Sequence, residues 1–294
     1  MAYSDRLHPL TVFLWYCAIL TVTMTATHPA SLLGFLLFAV FLRGLQVGPK
    51  RLLSGIPGAL LFLVSVAVIN LLFVHRGSQI LFFLNGRPIT LEAGFAGLFS
   101  GVMILSVILF CACLSHALPG ETMIALFGVR LPRLALLLRM TVGFLPRFRR
   151  RFREICDARA ALCTEPKKGF LASARSLLTD LSVLLSLSLE ESMDAADGMR
   201  ARGYGLPGAT RAIRRERGIA DFVLLPLLLL LTLAALVPLF SGQGEWGWYP
   251  LDTSLLVPDG WALVAFFAGA ALAAIPVILE GKETLKWRIL RSRI

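Results

Sequence analysis

Glu190, Glu191, Asp194 and Asp197 form the one dense carboxylate cluster of the chain. Glu190, Asp194 and Asp197 follow at steps of four and three, so they share a helical face. Acids placed this way can hold a divalent ion and, through it, a phosphate. That makes an integral membrane enzyme with a cytoplasmic carboxylate site one reading of the chain. The plainer reading is a solvated or arginine-paired face, because the aspartate-rich motifs of prenyl-transfer chemistry are denser and usually occur twice. Just beyond the cluster lie Arg200 and Arg202, followed by the helix breakers Gly203, Gly205, Pro207 and Gly208. A cation at a helix C-terminus is favoured by the helix dipole. An arginine flanked by the small residues Ala201 and Gly203 also lets another protein approach closely and present carboxylates to its planar fork.

Other chemistries lack their residues. No GxxxxGK[ST] phosphate loop occurs, and Gly281-Lys282-Glu283-Thr284 has neither the upstream glycine nor the adjacent hydroxyl. There is no GxSxG elbow and no HExxH. Gly203 to Gly208 spells GxGxxG, but it follows a charged helical stretch rather than a strand, so no dinucleotide fold surrounds it. Cys111 and Cys113 sit in an apolar block, Cys156 and Cys163 in a basic one, and His8, His28, His75 and His116 are dispersed. No metal site and no cofactor bound by this chain are expected.

The elements that must position these residues follow from composition. The chain has 294 residues, 57% of them hydrophobic and 16% charged, with a net charge of +11 and a mean hydropathy of +0.76. A soluble domain carries about a quarter charged residues, so an ordinary globular enzyme, a disordered chain and a nucleic-acid-binding basic domain are all poor fits. The apolar residues fall in blocks of bilayer-spanning length, about 20 residues for a hydrocarbon core of ~30 Å, and not in the short alternating runs of a barrel. Six blocks qualify: Leu10 to Thr27, Ala30 to Leu42, Ile56 to Val74, Leu91 to Ala117, Ile219 to Phe240 and Trp261 to Leu279. The second is short before Arg43 and must borrow Gly44 to Val47, thin the bilayer, or fail to cross it fully.

The expectation is an all-α polytopic membrane protein of about six transmembrane helices. It divides into residues 1–118 with four spans, a helical segment 119–218, and residues 219–294 with two spans and a basic tail. Residues 119–218 hold eighteen basic and ten acidic residues, most of the chain's surplus. Arg43, Lys50 and Arg51 after the second span, and Lys282, Lys286, Arg288, Arg291 and Arg293 after the sixth, place one face in the cytoplasm with both termini and the basic segment. Glu245, Asp252 and Asp259 with Trp246, Trp248 and Tyr249 suit the opposite face, while Arg76 and Arg87 run against the pattern. Ionisable residues are scarce in the spans, with Glu92 and Asp221 only at their mouths. A proton-coupled carrier therefore loses support, as does the permease of an ordinary ABC importer, which would need its own polar pathway.

Within the basic segment, Leu134, Leu138, Leu145, Phe148, Phe152 and Ile155 fall on one helical face, and Arg147, Arg149, Arg150, Arg151 and Arg153 fill the remainder. Such a helix suits anionic headgroups, and Pro146 is expected to kink or interrupt it. Leu177 to Leu189, interrupted by Asp180, is too short to span and leads into the carboxylate cluster. In the fourth span, Gly97 and Gly101 make a GxxxG step that permits close helix approach.

Met199-Arg200-Ala201-Arg202-Gly203-Tyr204-Gly205, preceded by Leu189-Glu190-Glu191 and Ala195-Ala196, resembles the Met-x-Ala-Arg-Gly-Tyr signature of the transmembrane T component of energy-coupling factor (ECF) transporters, the EcfT/CbiQ family. The likeness extends upstream through Leu131-Pro132, Phe144-Leu145-Pro146 and Arg153 to Ala158. The resemblance implies a non-catalytic scaffold in a prokaryotic cell membrane. It would join two cytoplasmic ABC-type ATPases, which use ATP and Mg, to a small membrane-embedded substrate-binding S component, for uptake of a vitamin or metal ion. It also implies two ATPase-docking motifs at the ends of coupling helices. The second maps onto Ala201, Arg202 and Gly203. The first maps onto Ala158, Arg159 and Ala160 without the glycine, or, in an ungapped comparison, onto Ala161-Leu162-Cys163 with its arginine lost. Nucleic acid is not an expected partner; membrane lipid is.

Overall fold

The computed structural model describes residues 7–74, 77, 79–84, 87–127, 131–162, 170–206, 218–240 and 260–291. Cys163, Arg76, Pro207, Gly208 and the segment carrying Glu245, Trp246, Trp248, Tyr249, Asp252 and Asp259 lie outside them. Two compact units are present, one of residues 1–122 with 216–294 and one of residues 123–215.

The first unit holds α1 (Pro9–Thr25), α2 (Pro29–Val47), α3 (Pro49–Phe73), a hairpin of β1 (Ile80–Leu84) and β2 (Arg87–Thr90), and α4 (Leu91–Ala117). A short α5 (Gly120–Phe127) follows, with its first three residues in this unit and the rest in the second. After the second unit come α8 (Ile219–Phe240) and α9 (Trp261–Arg291). Five of these helices are long and apolar enough to cross a bilayer, and α1 is a sixth, shorter apolar helix of 17 residues. At 1.5 Å per residue α1 reaches about 26 Å, near the lower limit for a span. The weak second block does borrow Gly44 to Val47, giving α2 its 19 residues. The antiparallel hairpin between α3 and α4 is a small exception to the all-α expectation.

Local chemistry explains the helix starts. Proline stands at the first position of α1, α2 and α3, where its missing N–H is no loss. His8 Nδ1 accepts from Leu10 N, and His28 Nδ1 from Ala30 N, each at 3.2 Å. Gly48, with φ +89°, closes α2 and opens α3 in a single residue, a backbone state that glycine adopts without Cβ strain. Asp221, 1% exposed, accepts from Gly218 N at 3.1 Å, which caps α8, and from His8 N at 3.0 Å, which ties the start of α1 to the start of α8.

The core of this unit joins Trp15, Ile19, Leu32, Phe35, Phe110 and Leu272 from α1, α2, α4 and α9 with Leu228 and Ala235 of α8. Pro276 inside α9 leaves the Leu272 carbonyl without its N–H donor four residues on. Trp15 Nε1 supplies one from α1 at 3.1 Å. By contrast α3 buries no residue. Its leucines, such as Leu61 at 71% exposure, are free to meet lipid. It packs on α4 where the GxxxG step removes side chains: a Cβ on Gly97 would lie 2.6 Å from Asn70 Cβ, and one on Gly101 would lie 3.1 Å from Leu63. This step therefore serves packing between α3 and α4.

The second unit is built on α6 (Pro132–Leu162) and α7 (Phe170–Ala201). Pro146 lies inside α6, which continues through it, so of the kink or interruption expected there the interruption does not occur. The two helices run antiparallel, since Arg147 of α6 meets Glu191 while Cys156 meets Asp180 and Arg159 meets Ser176. Of the six apolar positions expected on one face of α6, Phe148, Phe152 and Ile155 are half-buried, whereas Leu134, Leu138 and Leu145 are exposed.

Candidate coupling site

Arg202 stands immediately after the last helical residue of α7. Tyr204 N donates to Met199 O at 3.0 Å, and Gly203 N donates to Arg200 O at 2.9 Å. These are the paired bonds of a Schellman helix end, in which the residue following the cap must be left-handed. Gly203 supplies that conformation with φ +77°. The glycine of the Ala-Arg-Gly motif thus has a backbone reason, and its consequence is positional. The chain turns sharply after Arg202, leaving Ala201, Arg202 and Tyr204 exposed. Arg202 has no acidic partner among the described residues, while its neighbour Arg200 meets Asp197 at 3.6 Å with both side chains in solvent.

Arg159, near the end of α6, is placed differently. Its Nη2 lies 2.6 Å from Asp180 Oδ2, and its Nη1 donates to Ser176 O at 2.7 Å. Asp180 is 3% exposed, so this is a buried carboxylate held by a guanidinium that solvent still reaches on one side. Cys156, one turn before Arg159, completes the cluster with its Sγ 3.6 Å from Asp180 Oδ2. Partial burial, and then the hydrogen bond to Asp180, raise the Cys156 thiol pKa above its ordinary value. Ala158 and Ala160 remain exposed on either side. Asp180 and Ser176 were not singled out in the sequence. The one signal was a carboxylate interrupting an apolar run, which in a helix hairpin marks a buried ion pair.

The two arginines sit at different places on one rod. From Asp180 to Arg202 there are 22 residues of α7 and its cap, or about 33 Å at 1.5 Å per residue. Of the carboxylate cluster, Glu190 and Asp194 face solvent, Glu191 pairs with Arg147 at 3.7 Å, and Asp197 pairs with Arg200. Among the described residues no three of His, Cys, Asp and Glu come together as metal ligands would. Two of the four carboxylates thus meet arginines and the other two stand in solvent.

Residues 3–213 match the CbiQ family, described as cobalt transport protein. The chain belongs to the CbiQ cobalt transport family. That match covers more than two thirds of the sequence and takes in α1 to α4 together with both motif-bearing helices. CbiQ proteins are membrane components of multi-subunit transporters, and the apolar helices of this chain make it a multi-pass membrane protein of that kind. No curated protein matches the chain by sequence.

A polar contact inside the CbiQ membrane unit also escaped the sequence. Gln46 Nε2 of α2 donates to Glu280 Oε1 of α9 at 3.1 Å, and Glu280 lines a small cavity with Trp15, Tyr16 and Pro276. Arg43 Nη1 donates to Ala112 O of α4 at 3.2 Å. Both bonds join helices at polar residues near span ends, where such bonds are worth roughly 0.6 kcal/mol each.

Proposed function

We propose that this chain is the transmembrane coupling subunit of an ECF-type importer in a prokaryotic cell membrane, with both termini cytoplasmic. It would join two ABC-type ATPases, which bind ATP and Mg, to a small membrane-embedded S component. It performs no chemistry of its own. The cargo is a vitamin or a metal ion, and the family's description makes cobalt the first ion to test.

The observation that carries this reading is the exposed Arg202 at a rigid helix end. ATP binding closes the two ATPases, and a helix pinned at its tip must follow. A planar guanidinium holds a carboxylate in a fixed orientation, which an ammonium does not, so the pin transmits rotation as well as displacement. The 32-residue α7, about 48 Å long, is the lever. Arg159 would engage the second ATPase by exchanging Asp180 for a carboxylate of that subunit, with exposed Ala158 and Ala160 leaving room for the approach.

Arg202→Ala is expected to lower substrate uptake and to uncouple ATP hydrolysis from it while membrane insertion stays intact. Arg202→Lys should recover only part of the loss. Uptake at the normal rate in Arg202→Ala would remove the proposed role. Recovery of the chain from membranes without any ATPase bound would remove the whole assignment.

A further inference from the structure

Between Arg139 and Arg153, α6 carries six arginines and no acidic residue. Two of them find partners inside the unit. Arg147 reaches Glu191 and lies over the Phe144 ring at 5.7 Å, and Arg151 reaches Glu154 at 3.7 Å. Arg149, Arg150 and Arg153 are exposed and have no acidic partner among the described residues.

Leu138, Val142, Leu145, Arg149 and Arg153 follow at steps of four, three, four and four, which aligns them as one stripe along the helix. All five are exposed. The stripe runs beside the seam with α7, and none of its five residues is buried, whereas Phe144, Phe148, Phe152 and Ile155 are half-buried and Cys156 and Arg159 reach Asp180. From Leu138 to Arg153 it extends about 22 Å. Its first half is aliphatic and its second half is cationic.

A bilayer interface offers these two chemistries side by side, an acyl boundary for aliphatic side chains and phosphates just above it for guanidinium groups. An anionic leaflet also supplies the charge that this acid-free stretch lacks. We propose that this stripe of α6 rests on anionic phospholipid, with Leu138, Val142 and Leu145 at the acyl boundary and Arg149 and Arg153 on headgroup phosphates. The contact does not depend on ATPase docking.

The test uses the full chain, without partners, in vesicles of equal phosphatidylcholine and phosphatidylglycerol. A photoreactive p-benzoylphenylalanine replaces Val142, and its adducts are identified by mass spectrometry. Lipid adducts are expected, with phosphatidylglycerol in excess. An arginine near an anionic surface contributes about fivefold in affinity, so Arg149→Gln with Arg153→Gln should lower the phosphatidylglycerol-to-phosphatidylcholine adduct ratio by about tenfold or more. Arg149→Lys with Arg153→Lys should keep most of the ratio, and so should Arg151→Gln, which lies off the stripe. The proposal is overturned by an absence of lipid adducts, by cross-linking to another copy of the chain, by a ratio unchanged in the glutamine pair, or by an equal fall in the lysine pair or in Arg151→Gln.

Discussion

Arg159→Ala should loosen the α6–α7 hairpin, and the size of the effect follows from what is left behind. The substitution removes a guanidinium 2.6 Å from Asp180 Oδ2 and 2.7 Å from Ser176 O. It leaves a carboxylate that is 3% exposed, with the Cys156 thiol at 3.6 Å as its remaining polar side-chain partner among the described residues. Breaking a fully buried pair in this way costs about 3–5 kcal/mol. Here the Arg159 side chain is 34% exposed, so water reaches the pair and the cost falls to about 2 kcal/mol. Asp180→Ala is milder, at about 1 kcal/mol, because the arginine it strands can turn to solvent and keep its bond to Ser176 O. The double variant should then cost less than the sum of the two, with a coupling of about 1 kcal/mol. Hydrogen–deuterium exchange of the full chain reads this directly. A loss of 2 kcal/mol in local opening raises exchange about 30-fold, confined to peptides from residues 150–162 and 174–185. Exchange at the wild-type rate in Arg159→Ala, or strictly additive single effects, would refute the reasoning. The same variants separate bracing from docking. A brace makes Arg159→Ala and Asp180→Ala weaken ATPase capture in proportion to their loosening, whereas a docking arginine makes only Arg159→Ala do so.

Two further outcomes follow from the packing. Gly97→Ala places a methyl 2.6 Å from Asn70 Cβ and 3.1 Å from the Ala67 backbone, so α3 must move off α4. The expected cost is about 1–3 kcal/mol, read as a lower thermal midpoint in detergent, and an unchanged midpoint would show that the contact is loose. Cys156 should resist alkylation at neutral pH and react at a higher pH than an ordinary thiol, because burial and Asp180 both disfavour its thiolate. Asp180→Asn removes the negative charge and leaves only a neutral amide oxygen as a weaker acceptor, so the pH–rate curve for Cys156 labelling should shift to lower pH. A shift in the opposite direction would contradict the assigned contact.

Much of the architecture was legible because its causes are local. Apolar blocks of span length, prolines at helix starts and glycines at helix ends act through neighbouring residues alone. The end of α7 at Gly203 and the exposed Arg202 could therefore be read from seven consecutive residues. Arg159 was legible as a residue but not as a contact. The ungapped alternative for the first motif, Ala161 to Cys163, ends outside the described residues. The interruption allowed for at Pro146 did not occur, since α6 runs on through it, a proline costing one backbone hydrogen bond without having to end the helix.

By itself, then, the order of residues determined that this is a multi-pass helical protein, roughly where its apolar helices lie, and which arginine follows a helix end. Only the tertiary structure decided that Asp180 captures Arg159, that Trp15 donates to the carbonyl freed by Pro276, that Gln46 meets Glu280, and that Gly97 and Gly101 serve α3. The reason is common to all four. Each joins two helices, and the gain from a hydrogen bond, an ion pair or a close contact exists only once both surfaces have been brought within a few ångströms, a condition that no single stretch of chain encodes.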